Sequence, residues 1–163
     1  MKRLSGGDAA TYRDIRLEGL AKHPEAFGAS LAEERLYDVS LYEERLNSGV
    51  VFGGYLDGRL CGVMGFFQEA TAKKKHKGMI WGTYVREEAR GIGLASKLLD
   101  QVLDYARPLV EQIHLTVTSS NDVARCFYER RGFVTYGIEP NALCVGELRY
   151  DELLMVKRFE QFG

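Results

Sequence analysis

Two glycines near the middle of the chain have the spacing of a phosphate-binding loop. The segment Arg90-Gly91-Ile92-Gly93-Leu94-Ala95 follows a run of strand-forming residues and opens a long helical pattern. The first amides of a helix have no partners within the helix and carry the positive end of its dipole. Glycines let a phosphate come close to these amides. The segment therefore predicts an anion-binding loop, and the structural alternative is a turn that only joins strand to helix.

Two common phosphate-binding motifs do not fit this loop. A P-loop has Lys and then Ser or Thr directly after its last glycine, whereas Leu94 and Ala95 follow Gly93 here. A dinucleotide-binding loop has a third glycine or an alanine where this chain has Ser96. It also has an acidic residue at the end of the next strand, whereas Glu111 comes before that strand. Both alternatives are therefore disfavoured.

A polar residue and a phenol lie two turns apart on the next predicted helix. Asn121 is suited to cap this helix, and Tyr128, seven residues later, lies on the same face. Together they could contact one elongated ligand. The structural alternatives are a plain helix cap for Asn121 and a half-buried core residue for Tyr128.

The pattern of apolar residues around these motifs predicts a mixed α/β (α+β) domain over residues 1–163. Asp57-Gly58 between two apolar runs predicts a tight hairpin. A strand, a helix and a second strand over residues 78–118 require a right-handed crossover and a locally parallel pair in an otherwise mostly antiparallel central sheet flanked by helices. The predicted helices cover residues 9–23, 30–47, 93–110 and 121–131, and the predicted strands cover 50–56, 60–68, 78–85, 112–118, a stretch from 134, and 147–158.

The composition excludes several classes of function. A chain of 163 residues with 45% apolar and 28% charged residues suits one globular core. The net charge of −1 leaves no excess of Lys and Arg for binding nucleic acid. No apolar run approaches the roughly 20 residues that span a bilayer, and the 3 cysteines lack metal-ligand spacing. We therefore expect a cytoplasmic protein with free thiols, no metal, no nucleic acid and no membrane partner.

Taken together, the two motifs resemble those of the GNAT superfamily of N-acetyltransferases. The glycine segment matches the pattern Arg/Gln-x-x-Gly-x-Gly/Ala at every specified position. The second segment resembles Asn-x-x-Ala-x-x-x-Tyr-x-x-x-Gly-Phe through Asn121, Ala124, Tyr128, Gly132 and Phe133. The interval between the motifs has room for one helix and one strand, and the resemblance covers nearly the whole chain.

The resemblance implies a GNAT-like fold that binds acetyl-CoA as co-substrate and transfers its acetyl group to an amine. The pyrophosphate would lie on the backbone of the glycine loop, and the pantetheine arm would pair with the end of the preceding strand. Tyr128 would lie near the sulfur as the catalytic general acid. The implied acetyl-CoA contacts are Tyr84, Val85, Arg86, Arg90, Gly91, Ile92, Gly93, Leu94, Ala95, Ser96 and Asn121.

Acetyl transfer to an amine makes three chemical demands. The amine must be neutral, the thioester carbonyl must be polarised, and the thiolate must leave. Backbone amides near Val85 are candidates for polarising the carbonyl. Tyr128 is the candidate for protonating the thiolate, because a phenol is protonated at pH 7.

The sequence does not identify the general base. The strand before the glycine loop carries no carboxylate, which leaves Glu69, His114 and Glu139 as candidates. For each of them a solvated or structurally paired side chain is the alternative. Cys126 could accept the acetyl group as a nucleophile, but no His lies near it in sequence, so a small core residue is favoured.

The acceptor is expected to contact the first two helices and the late segment 136–145. Residues that could frame a pocket for a cationic amine are Tyr37, Tyr42, Glu33, Glu34 and Asp38, with packing or solvation as the alternative. A small amine or amino acid is the leading acceptor. The alternatives are a protein N-terminus or lysine, and a non-catalytic acyl-CoA sensor. A homodimer is compatible with the family, with Phe159 and Phe162 as interface candidates.

Overall fold

A seven-stranded sheet carries the helices and positions both motifs. The computed structural model describes residues 1–160. The strand order is β1-β2-β3-β4-β5-β7-β6, and β4 with β5 is the only parallel pair among the described strands. This confirms the predicted mixed α/β class. The elements are β1 (Lys2–Arg3), α1 (Ala9–Lys22), α2 (Leu31–Glu34), α3 (Val39–Ser48), β2 (Val50–Leu56), β3 (Arg59–Gln68), β4 (Lys77–Val85), α4 (Leu94–Ala106), β5 (Gln112–Thr118), α5 (Asp122–Arg130), β6 (Val134–Val145) and β7 (Leu148–Arg158).

The helix predicted over residues 30–47 is two helices in the structure. After α2 ends, Asp38 takes an extended backbone (φ −65°, ψ 152°), and its carboxylate accepts a hydrogen bond of 2.9 Å from the Ser40 amide. An Asp that caps a new helix interrupts the old one, because its side chain competes with the backbone for amide donors. The prediction of one continuous helix was therefore wrong.

A bulge in β4 opens the centre of the sheet. Gly82 in β4 has a left-handed φ of 63°, and the register between β3 and β4 shifts beside it. β4 and β5 pair only as far as Met79 and His114, although both strands continue beyond that point. A bulge bends its strand and ends pairing, so β4 and β5 diverge and leave a wedge between their carboxyl ends.

Both faces of the sheet are covered by apolar packing. On one face α4 buries Leu98, Leu99 and Val102 completely, and on the other α1 and α3 bury Ile15 and Tyr42 completely. Burial of such side chains contributes roughly 1.5–3 kcal/mol each to folding. Within residues 1–160, no helix is both long enough and apolar enough to cross a membrane.

A buried ion cluster joins the first three helices. The Glu34 carboxylate accepts hydrogen bonds from Arg16 (Nε 3.2 Å, Nη2 3.0 Å), from Arg45 Nη1 (3.3 Å) and from the Tyr42 hydroxyl (3.2 Å). Burial favours a higher pKa for Glu34, but hydrogen bonds and positive charge from Arg16 and Arg45 outweigh it and hold the pKa below its usual value. Glu34 is therefore ionised and fixes the position of Arg16.

Replacing Glu34 by Gln is expected to lower the free energy of unfolding by about 2 kcal/mol, because charge-assisted hydrogen bonds to both arginines are weakened. Chemical denaturation followed by circular dichroism measures this change. Glu44→Gln on α3 is the matched control, because Glu44 is exposed and should change stability by less than about 0.5 kcal/mol. Equal stability of both variants would contradict the assigned role of the cluster.

Candidate active site

Two cavities meet in the wedge between β4 and β5. A cleft of about 740 Å³ follows the glycine loop and the start of α5, and a pocket of about 410 Å³ lies beyond it. Both volumes fall in the range of small-molecule sites. The residues that line both cavities are Ala26, Phe27, Thr83, Thr118, Asn121, Ala124 and Tyr128. The two cavities therefore adjoin, and Tyr128 lies where they meet.

The glycine loop has the geometry of an anion site. Gly91 (φ 77°) and Gly93 (φ 83°) are left-handed, and Gly93 is the cap residue of the 13-residue helix α4. A Cβ built at either glycine meets no atom of the described residues within 4 Å, so the loop borders open space. The first helical residues, Leu94 to Ser96, also line the cleft. Unpaired amides at this helix start can therefore hold phosphate groups.

Most of the predicted acetyl-CoA contacts lie along the cleft, and two do not. Arg86 turns away, because its Nε donates to Glu18 (2.9 Å) and its Nη1 to the Leu60 carbonyl (3.0 Å). Ile92 is exposed and lies outside the lining. The predicted contacts that line the cleft are Tyr84, Val85, Arg90, Gly91, Gly93, Leu94, Ala95, Ser96 and Asn121.

A short segment after α1 covers the junction, and the sequence did not reveal it. It contains a 3₁₀ turn at Pro24–Ala26. The Thr118 hydroxyl at the end of β5 donates to the Glu25 carbonyl at 2.6 Å, which ties this segment to the sheet. His23 Nε2 lies 3.4 Å from Arg90 Nη2, and Arg90 Nε donates a hydrogen bond to the Val85 carbonyl. Only tertiary contacts bring this segment to the cleft, although Pro24 after the helix marks a chain reversal.

Tyr128 is buried, and its surroundings favour the protonated form of the phenol. It is 6% exposed, and its ring packs edge-on against Phe127 (5.0 Å between centroids) and Phe133 (5.5 Å). Burial raises the pKa of Tyr128 above its ordinary value, and the neighbouring Thr83 hydroxyl opposes this shift. The phenol therefore holds its proton at neutral pH and can donate it to a group at the junction.

Asn121 acts as the helix cap that its position predicts. Its Oδ1 accepts a hydrogen bond of 3.1 Å from the Ala124 amide. Asn121 also lines both cavities, so its remaining amide NH₂ can donate to a ligand.

The carboxylate in the smaller pocket is Glu152, which no sequence pattern indicated. The candidates Glu69, His114 and Glu139 lie outside the linings of both cavities, whereas Glu152 lines the smaller pocket. His114 lies 3.2 Å from the Tyr136 hydroxyl, and burial lowers its pKa. The sequence around Glu152 did not indicate a functional site, because no local sequence pattern shows that β7 pairs with β5.

The pairing of β7 gives Glu152 an unusual environment. It lies opposite Thr118 of β5 on one side and Glu139 of β6 on the other. Burial raises the pKa of Glu152, with a further contribution from the Glu139 charge, while a hydrogen bond from Thr116 opposes the shift. A carboxylate with a raised pKa is a better proton acceptor than a solvated one.

The residues expected to frame a cationic acceptor lie elsewhere. The pocket is lined instead by Arg16, Phe27 and Trp81. Glu34 and Tyr42 belong to the buried ion cluster. The expected acceptor residues, none of which lines the pocket, are Tyr37, Tyr42, Glu33, Glu34 and Asp38.

The two candidate interface aromatics are Phe159 and Phe162. Phe159 is half-buried, packs against the main core and lies under the Arg107 guanidinium at 4.9 Å. Phe162 lies outside the described residues. An intermolecular role for either residue stays a prediction.

The chain is similar to known acetyltransferases in sequence and in fold. Over 53 residues the chain is 38% identical to the 5-NmdU N-acetyltransferase of Pseudomonas phage PaMx11, and the match spans 36% of that enzyme's length and 32% of this chain. The fold is similar to an acetyltransferase of the GNAT family from Streptococcus pneumoniae (TM-score 0.86, 20% identity, 98% of each chain). It is also similar to YncA of Salmonella typhimurium, solved with its cofactor acetyl-CoA (TM-score 0.82, 20% identity, 99% of this chain and 94% of the other).

The family model described as the acetyltransferase (GNAT) family matches residues 12–133. This range includes the glycine loop and the segment from Asn121 to Tyr128, so the resemblance inferred from the two motifs is confirmed. The chain therefore belongs to the GNAT acetyltransferase family.

Proposed function

We propose that the protein transfers the acetyl group of acetyl-CoA directly to the primary amine of a small molecule or amino acid, with Tyr128 as general acid. The supporting observation is the position of Tyr128, which lines both the cleft along the glycine loop and the smaller pocket. A donor in the cleft and an acceptor in the pocket would meet at its phenol. The pocket volume of about 410 Å³ favours a small acceptor over a protein segment.

The proposed reaction assigns one proton transfer to each of two side chains. Acetyl-CoA supplies the activated acetyl group as a thioester. The nitrogen of the neutral amine bonds to the acetyl carbon, and the Glu152 carboxylate accepts one proton from that nitrogen as the C–N bond forms. Tyr128 donates its phenolic proton to the sulfur as the carbon–sulfur bond breaks. Solvent then takes the proton from Glu152 and returns one to the phenol. Holding donor and acceptor in adjoining cavities lowers the entropic part of the barrier.

A thiol-release screen tests this proposal. The protein is incubated with acetyl-CoA and a panel of small amines, free amino acids and short peptides, and free CoA is measured with a thiol reagent. Mass spectrometry of the acceptor shows whether it has gained an acetyl group. Release of CoA with acetylation of a small amine supports the proposal. Acetylation of peptides alone would overturn the assignment of a small acceptor.

Glu152→Gln is expected to lower kcat about 100-fold, because positioned general bases contribute at least this much. In the unmodified protein kcat/KM should fall as the pH drops through the raised pKa of Glu152, since only the carboxylate form accepts a proton. In the Glu152→Gln variant this fall of kcat/KM at low pH, the acidic limb of the profile, should be absent. A pH profile of initial rates between about pH 5 and 9 covers the range in which a raised Glu pKa lies.

Glu139→Gln is the matched control for this experiment. It removes the negative charge that raises the pKa of Glu152 but leaves the Glu152 carboxylate in place. The acidic limb should therefore move to lower pH, while the rate on the plateau is kept. An unchanged limb in Glu152→Gln would show that another group accepts the proton.

A further inference from the structure

Arg16 places a buried positive charge at the wall of the smaller pocket. The residue is 6% exposed and lines this pocket from α1. Its guanidinium carbon lies 5.3 Å from the centre of the Phe27 ring and 5.6 Å from that of Trp81, and both rings also line the pocket. The aromatic contacts hold the planar group in one orientation.

One nitrogen of this guanidinium has no protein partner. Nε and Nη2 donate to Glu34, but Nη1 is buried and makes no hydrogen bond within residues 1–160. Nη1 faces Gly82 at the β4 bulge, where it lies 3.0 Å from the position that a Cβ would take. Gly82 also lines the pocket, so the unpartnered Nη1 lies beside the pocket wall. A buried donor without a partner is unfavourable, so a ligand acceptor would be bound strongly.

The charges of the surrounding cluster leave a positive excess. Two guanidinium groups, those of Arg16 and Arg45, share the single carboxylate of Glu34. Arg45 is partly exposed and can be compensated by solvent, whereas Arg16 cannot. A negatively charged group on the ligand would complete the charge balance at Arg16.

The opposite charge lines the same pocket. Glu152 on β7 is an acceptor for an ammonium group or its proton, while Arg16 is a donor for an anion. A singly charged carboxylate suits one free nitrogen better than a phosphate, which needs several donors. A pocket with one cationic and one anionic wall is suited to a zwitterion.

We infer that the acceptor is a free amino acid, whose carboxylate binds Arg16 Nη1 and whose amine lies toward Glu152 and Tyr128. This inference rests on the proposed function and narrows it to one substrate class. Arg16 is thus a specificity residue, because it discriminates between acceptors that differ only in the carboxylate.

The test compares three matched forms of each acceptor with the unmodified protein. These are α-, β- and ω-amino acids, the corresponding amino acid amides and the corresponding plain amines. We expect kcat/KM for at least one amino acid to exceed that for its amide and its amine at least about 100-fold. The amide is the sharper comparison. The amino group of the amide is less basic than that of the amino acid and is more often neutral, so basicity alone would favour the amide.

The Arg16→Gln variant tests the residue itself. The ratio of kcat/KM for the amino acid to that for its amide should fall at least about 30-fold, since the charge-assisted contact is lost. This ratio does not depend on how much of the variant is folded, because both substrates meet the same active fraction. Arg45→Gln removes a charge from the same cluster outside the pocket and should retain the ratio.

Amides or plain amines acetylated as fast as the amino acids would overturn the inference and leave the proposed function intact. An unchanged ratio in Arg16→Gln would also overturn it. Absence of thiol release with every acceptor, together with no binding of acetyl-CoA in calorimetry, would instead remove the proposed function. The two failures are therefore distinguishable.

Discussion

Tyr128→Phe is expected to lower kcat about 1,000-fold while the KM for acetyl-CoA changes by less than about threefold. The phenol is the proton donor at the junction of the two cavities, and burial raises its pKa so that it is protonated at neutral pH. Removing the hydroxyl leaves the departing thiolate without a donor. Steady-state rates of thiol release with acetyl-CoA varied give both constants.

The fold should tolerate this substitution. The Tyr128 ring packs against Phe127 and Phe133, and Phe keeps both contacts. Tyr105→Phe is the matched control, because the Tyr105 ring packs against Phe52 and Phe66 and lies outside both cavities. It should leave kcat unchanged. Equal activity of the two variants would show that the hydroxyl of Tyr128 is not the acid.

Gly93→Glu is expected to raise the Kd for acetyl-CoA about 1,000-fold. The new carboxylate would lie at the start of α4, where the amides are expected to hold the phosphates. Loss of two charge-assisted hydrogen bonds accounts for an effect of about this size. Calorimetric titration with acetyl-CoA measures the change directly.

A second glycine separates this effect from backbone strain. Gly93 has a φ of 83°, so any side chain there adds strain as well as charge. Gly146, in the turn between β6 and β7, is also left-handed (φ 60°) and also borders open space. Gly146→Glu therefore adds comparable strain and the same charge away from the cleft, and should bind acetyl-CoA normally. Weak binding by both variants would assign the effect to the fold.

The local motifs were predictable because their chemistry depends on near neighbours in sequence. Gly91 and Gly93 before a helix indicate an anion site, and Asn121 before a helix indicates a cap, whatever the rest of the chain does. The Asp57-Gly58 hairpin is of the same kind, and both residues are left-handed in the structure. Each of these features is determined within a few residues.

The acceptor side was not predictable, because it is assembled from distant segments. Glu152 reaches the pocket because β7 inserts between β5 and β6, and no local pattern encodes this order. Arg16 lies on a helix face that is otherwise apolar, and only its pairing with Glu34 shows why it is buried. The Asp38 cap splits a helical pattern that periodicity alone reads as continuous.

Initial rates with both substrates varied test the central claim most directly. Thiol release is measured over a grid of acetyl-CoA and acceptor concentrations, using the acceptor found in the screen. Direct transfer requires both molecules to be bound together, so double-reciprocal plots should give lines that intersect. Parallel lines would indicate an acetylated protein, with Cys126 as the first nucleophile to examine, and would contradict direct transfer where the cavities meet at Tyr128.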